Sequence, residues 1–128
     1  MPIEFTIDHA RRLVTAKASG TLTGREVFGY QRDVWSRSDV QGYNELLDMR
    51  DVERIDLPSV DNMRALAELS ASMDVPSKPS KFAIVATTDE AFGLSRMYET
   101  YRHLEGKSTK QVAVFRSVTE AHAYLEVA

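Results

Sequence analysis

Asp48, Asp51 and Asp56 lie close together and are the nearest approach to a carboxylate cluster in the sequence. General acid–base catalysis needs two such groups at a set separation with pKa values pushed apart. A solvated acidic turn is the plainer alternative, because charged turns usually face water. Arg50, Arg96 and Arg116 supply positive charge, while Thr87, Thr88 and Ser117 stand where helices should begin. Free backbone N–H groups at a helix start can hold a phosphate or carboxylate. The candidate interaction or ligand surface therefore comprises Asp48, Arg50, Asp51, Asp56, Ser59, Thr87, Thr88, Arg96 and Arg116. Against it stands a simpler arrangement, in which the hydroxyls only cap helices and the arginines only pair with neighbouring acids.

Other chemistries find less support. His9, His103 and His122 fall on a turn and on two different helices, without the HxxxH spacing of a zinc site. Ser95 and His103 are two helical turns apart, too far for a nucleophile–base pair along one helix. There is no GxGxxG, P-loop or GxSxG motif. No cysteine is present, which excludes disulfides and thiolate metal sites and suits a reducing, cytoplasmic setting. The reading is of a non-enzymatic protein with no catalytic, cofactor-binding or metal site.

Composition narrows the class further. With 128 residues, 43% apolar and 27% charged, the chain is of a size and balance to form one globular domain over 1–128. Its net charge of −3, with both signs interspersed, lacks the basic face of a nucleic-acid binder. Apolar stretches are too short to span a membrane, and Met1-Pro2-Ile3-Glu4 does not open a signal peptide.

The elements that must position the candidates can be read from periodicity. Ile3, Phe5 and Ile7 alternate with polar residues, as do Val14, Ala16 and Ala18 up to Gly20, which predicts two strands joined as a hairpin. Thr23 with Glu26 forms a capping box opening a helix whose inner stripe is Val27, Tyr30 and Val34, with Phe28 and Trp35 beside it, ending at Gly42. Tyr43 to Met49 reads as a strand, and Arg50 to Asp56 as a polar turn leading to Pro58 at the start of the next helix. That helix carries Val60, Met63, Leu66, Ala67, Leu69 and Met73 inward. The run Phe82 to Ala86 has the continuous apolar character of a strand buried on both faces. Thr87 with Glu90 caps a helix bearing Leu94, Met97, Tyr98, Tyr101 and Leu104, stopped by Gly106. Val112 to Phe115 is the last strand, and Ser117 with Glu120 caps a final helix through Val118, Ala121 and Leu125. The order β-β-α-β-α-β-α-β-α predicts an α/β fold with a mostly parallel, mixed five-stranded sheet. Ligands of such sheets gather at the carboxyl ends of the strands, here at 48–51, 87–89 and 115–117.

This order resembles the STAS domain, the sulfate-transporter and anti-sigma-factor-antagonist module, also called the SpoIIAA-like fold. The local match is Leu47 to Asp56, similar to the family's strand, turn and acidic residue before the second helix. The resemblance implies a regulatory protein-interaction module with a phosphorylatable serine after that acidic residue. Here Leu57 and Pro58 follow Asp56, so the usual serine is missing and Ser59 becomes the candidate phosphosite. A second resemblance is to uncharacterised bacterial proteins of the same fold, STAS-like or lipid-binding-like, carried by Lys81 to Val85, Phe92 to Tyr98 and Val114 to Ser117. It implies a small apolar-ligand or lipid-binding protein as the alternative function. Met97, Tyr98 and Tyr101, with Met63 and Met73, would then line an apolar pocket, unless they are ordinary core. Expected partners are a protein, a second copy of the chain through Tyr98 and Tyr101, or a small apolar or anionic ligand. No cofactor is expected.

Overall fold

The computed structural model describes residues 3–56, 60–75, 77–104 and 109–126. Strand β1 (Ile3–Asp8) pairs antiparallel with β2 (Leu13–Thr23), placing Ile3, Phe5 and Ile7 opposite Ala18, Ala16 and Val14. Strands β3 (Asn44–Asp56), β4 (Ser80–Val85) and β5 (Lys110–Phe115) then add in parallel. The sheet order β1-β2-β3-β4-β5 repeats the chain order. Each parallel crossover therefore steps the same way, and right-handedness sends every crossover helix to one face. That face carries α1 (Gly24–Tyr30), α2 (Val60–Ser72) and α3 (Asp89–Leu104), packed over a core with Phe82, Ile84 and Val114. The last helix, α4 (Val118–Glu126), has no following strand and covers the other face, where Ala121 and Leu125 meet Leu46, Ala83 and Val85.

Three readings of the sequence are corrected. The stretch 50–56 is strand, not turn. Beyond Asp48, β3 leaves β4 and continues against β2 alone, up to Thr23 opposite Asp56. Its outward residues are charged because this ribbon is bathed by water, while Val52 is buried and Ile55 half-buried. Register shifts near Gly20, which sits at φ +66°, interrupt the period of two and hide the strand. The first long helix is also broken. It begins as read, with the Glu26 N–H donating to Thr23 Oγ1 at 3.3 Å, but widens to a π-helical turn over Gln31–Trp35 and a 3₁₀ turn over Ser38–Val40. The wider turn brings Gln31, Val34 and Trp35 all inward. Gly42 follows at φ +82°, where a Cβ would stand 2.8 Å from Lys78 Cβ. Finally, Leu104 is exposed and contributes nothing to the core.

Candidate functional site

Asp48, Val85 and Phe115 lie level in adjacent strands, but 48–51 lies within β3, which runs on to Asp56, and not in the turn read from the sequence. The charges there satisfy one another. Asp48 is buried in β3, and the Arg50 guanidinium closes on it through Nε to Oδ1 at 3.0 Å and Nη2 to Oδ2 at 2.8 Å. The Arg50 N–H adds a third bond to Asp48 Oδ1. Lys17 Nζ pairs with Asp51 at 2.9 Å. Arg116 donates to Asp89 Oδ1 and to the Thr87 carbonyl, and stacks 4.2 Å over the Phe92 ring. Thr88, not Thr87, caps α3, its hydroxyl accepting from the Ala91 N–H at 3.1 Å. The reading at Ser117 holds, since its hydroxyl accepts from the Glu120 N–H. Asp56 lies at the far end of the β2–β3 ribbon, and Arg96 pairs with Glu99 on α3. Ser59 lies outside the described residues.

Arg50, first through its side-chain bond, holds the Asp48 carboxyl below the usual aspartate value of 3.8. That is the wrong direction for a general acid at neutral pH. It makes Asp48 a group whose stabilisation is present above its unfolded value and lost as pH falls through its lowered folded value. Asp48→Asn should therefore flatten the stability profile below about pH 4, measured as urea midpoints between pH 2 and 6. An unchanged acid slope would refute this assignment.

A different site lies between the helices and the sheet. Its floor is Leu22 of β2, Leu47, Met49 and Ile55 of β3, and Phe82 and Ile84 of β4. Its walls are Val27 of α1, Met63 and Leu66 of α2, and Leu94 of α3. Three polar side chains, Gln31, Ser95 and Tyr98, close its inner end, and among the described residues none of the lining is charged. The open cavity measures about 70 Å³. One water needs roughly 10–15 Å³, and a dry cavity of about 150 Å³ accepts benzene. The cleft thus has room for part of a small apolar molecule, with the rest projecting from its mouth. Met63 and Tyr98 line it as the sequence suggested, whereas Met73, Met97 and Tyr101 pack half-buried against the core. Tyr98 is buried within the chain, so its ring is not available to a second copy.

Behind the cleft runs a buried polar network that the sequence reading missed. The Tyr98 hydroxyl donates to Ser70 Oγ at 2.8 Å and accepts from Arg102 Nη1 at 3.3 Å. Ser70 Oγ lies 2.6 Å from Gln31 Oε1 and 2.9 Å from the Leu66 carbonyl, which share its one proton. Arg102 Nη2 holds both oxygens of Asp74 at 2.9 Å. A second group joins the π-helical turn to the sheet. Trp35 Nε1 donates to Glu45 Oε1 at 2.7 Å, and Lys110 Nζ sits 4.1 Å above the Trp35 ring. Burial pushes the Glu45 carboxyl up and the Lys110 amine down, each partly opposed by the other's charge. One signal was in the sequence. Ala91, Ser95, Tyr98 and Arg102 recur at spacings of four, three and four, so the buried stripe of α3 includes a serine and an arginine. Among the described residues, no group of three or more His, Asp or Glu is placed to hold a metal.

No family model matches the chain, and no curated protein matches it. A solved structure does resemble it: an uncharacterised protein of the DUF3478 family from Shewanella loihica PV-4, with a SpoIIAA-like fold. The two share 14% identity over 96% of this chain and 93% of that one, with a TM-score of 0.60. The likeness bears out the expected fold: a SpoIIAA-like mixed sheet of five strands with four α-helices. No described helix is long and apolar enough to cross a membrane.

Proposed function

We propose that the chain is a non-enzymatic binding module and that its ligand is a small apolar molecule seated in the cleft between α1, α2, α3 and the sheet. One contrast carries this reading. The charged groups at the strand ends are matched to each other, while among the described residues the cleft offers apolar surface without a side chain to fill it. An apolar ligand gains by leaving water for such a surface, and the lining gains dispersion contacts it otherwise lacks. An anion at the strand ends would first have to break the existing ion pairs. A cytoplasmic location belongs to this reading, supported by the absence of cysteine.

The test is to fill the cleft. Toluene, followed by NMR shifts of the amides around the cleft, should bind the wild type weakly, with Kd on the order of 0.1–1 mM. Leu94→Trp, at a half-buried wall position, should weaken binding by about tenfold or more by occupying the same space. Equal binding to the variant would show that the probe sits elsewhere and sink the proposal.

A second reading, the regulatory protein-interaction module implied by the fold, has its own observation. A groove of about 600 Å³ runs between the C-terminal half of α3 and the start of β5, a strand that among the described residues pairs on one side only. Such an edge can accept another strand, from a partner or a second copy. Sedimentation over a range of concentrations separates self-association from a monomer that awaits another protein.

A further inference from the structure

Ser95 lies on the buried stripe of α3 and is 5% exposed. A serine inside a helix ordinarily returns its hydroxyl to the carbonyl four residues back. Ser70 approaches the Leu66 carbonyl in this way at 2.9 Å, and Thr100 donates to the Arg96 carbonyl at 3.0 Å. The Ser95 hydroxyl makes no hydrogen bond among the described residues, and it lines the apolar cleft. Its oxygen is not sealed inside the protein but opens onto the cleft, where whatever occupies the cleft, water or ligand, can bond to it. Of the other two polar residues of the cleft, Tyr98 is engaged with Ser70 and Arg102, and Gln31 accepts from Ser70 through its carbonyl oxygen. Ser95 Oγ is thus the hydroxyl of the cleft left to address a ligand.

Resting on the cleft-binding reading above, we infer that the ligand is a neutral amphiphile: an apolar body bearing one hydroxyl or carbonyl oxygen that bonds to Ser95 Oγ. A carboxylate does not suit the site. No charged side chain lines the cleft among the described residues, and Arg102, one layer behind Tyr98, is already held by Asp74. A carboxylate would enter as an unpaired buried charge.

Matched probes test this. Toluene, benzyl alcohol and benzoate would be titrated into wild type, Ser95→Ala and Ser95→Cys, which keeps the size but only a weak donor. The toluene-to-benzyl alcohol Kd ratio should fall roughly three- to tenfold in Ser95→Ala, the worth of one hydrogen bond. Toluene affinity should change less than benzyl alcohol affinity, because toluene makes no bond to Ser95 Oγ. The ratio for Ser95→Cys should fall between the two. Benzoate should bind at least tenfold more weakly than benzyl alcohol. An unchanged ratio, or benzoate binding as tightly as the alcohol, would each overturn the inference while leaving apolar binding intact. If toluene and benzyl alcohol both fail to bind the wild type, the cleft-binding reading falls and this one with it.

Discussion

Arg102→Ala should cost about 3–5 kcal/mol of folding stability, the range for breaking one side of a buried ion pair. A domain of this kind has only about 5–15 kcal/mol in total, so the variant should sit near the edge of folding. Arg102 is 1% exposed, and its partner's side chain is as deeply placed, with Asp74 at 5%. Both Asp74 oxygens bond to Nη2, and Nη1 reaches the Tyr98 hydroxyl. Truncating Arg102 removes both Nη2 bonds to the buried Asp74 side chain and a donor from the Tyr98–Ser70–Gln31 chain that ties α3, α2 and the π-helical turn together. The contact between the two side chains is lost in each single variant. Asp74→Ala combined with Arg102→Ala should therefore be less destabilised than the sum of the two single variants by at least about 1 kcal/mol. Urea unfolding followed by far-ultraviolet circular dichroism measures all three. A loss below about 1 kcal/mol for Arg102→Ala would place this pair with exposed ion pairs.

The contrast between what periodicity revealed and what it concealed has a physical basis. The hairpin, the parallel strands and the four helices were legible because Ile3, Val14, Phe82 and Val114 mark faces that must be buried, and burial follows the period of the element. The end of β3 was not legible. Its ribbon has water on its outward side, so Asp51, Glu53, Arg54 and Asp56 look like a turn although they are hydrogen-bonded strand. The polar core was hidden for the opposite reason. Glu45, Arg102 and Gln31 are residue types assigned to the surface unless a partner is known, and those partners, Trp35, Asp74 and Ser70, stand 10, 28 and 39 residues away. The candidate site divides along the same line. Sequence could collect charges at the strand ends, but it could not show that they neutralise each other. It could suggest that Met63 and Tyr98 face a pocket, but not that Ser95 does so without a partner.

Trp35 gives the second large effect. Trp35→Ala should cost about 3–5 kcal/mol through loss of a buried aromatic side chain. The ring is 8% exposed and stands edge-on to Phe82 at 5.4 Å. Trp35→Phe separates packing from hydrogen bonding, because it keeps a ring against Phe82 and deletes the Nε1 donor. Losing the Trp35 bond to Oε1 leaves the buried carboxylate with only the Tyr30 hydroxyl and the Lys110 charge to oppose its burial, at about 1–3 kcal/mol. This cost should depend on pH. Burial already raises the Glu45 pKa above its ordinary 4.5, opposed by the charge of Lys110 and the Trp35 bond. An acid with a raised folded pKa contributes its stability below the unfolded value and loses it as pH rises through the folded one. Removing the Trp35 donor raises the folded value further and widens that window. Trp35→Phe should therefore be closer to wild type at pH 4.5 than at pH 7.5, compared by urea unfolding with circular dichroism. Equal costs at the two pH values would mean that Glu45 does not sense the indole. The consequence reaches the cleft, because the turn that Trp35 pins to β3 also carries Gln31, one of its walls. Loosening that turn should weaken toluene binding in Trp35→Phe although the substituted residue touches no ligand, and more so at pH 7.5 than at pH 4.5.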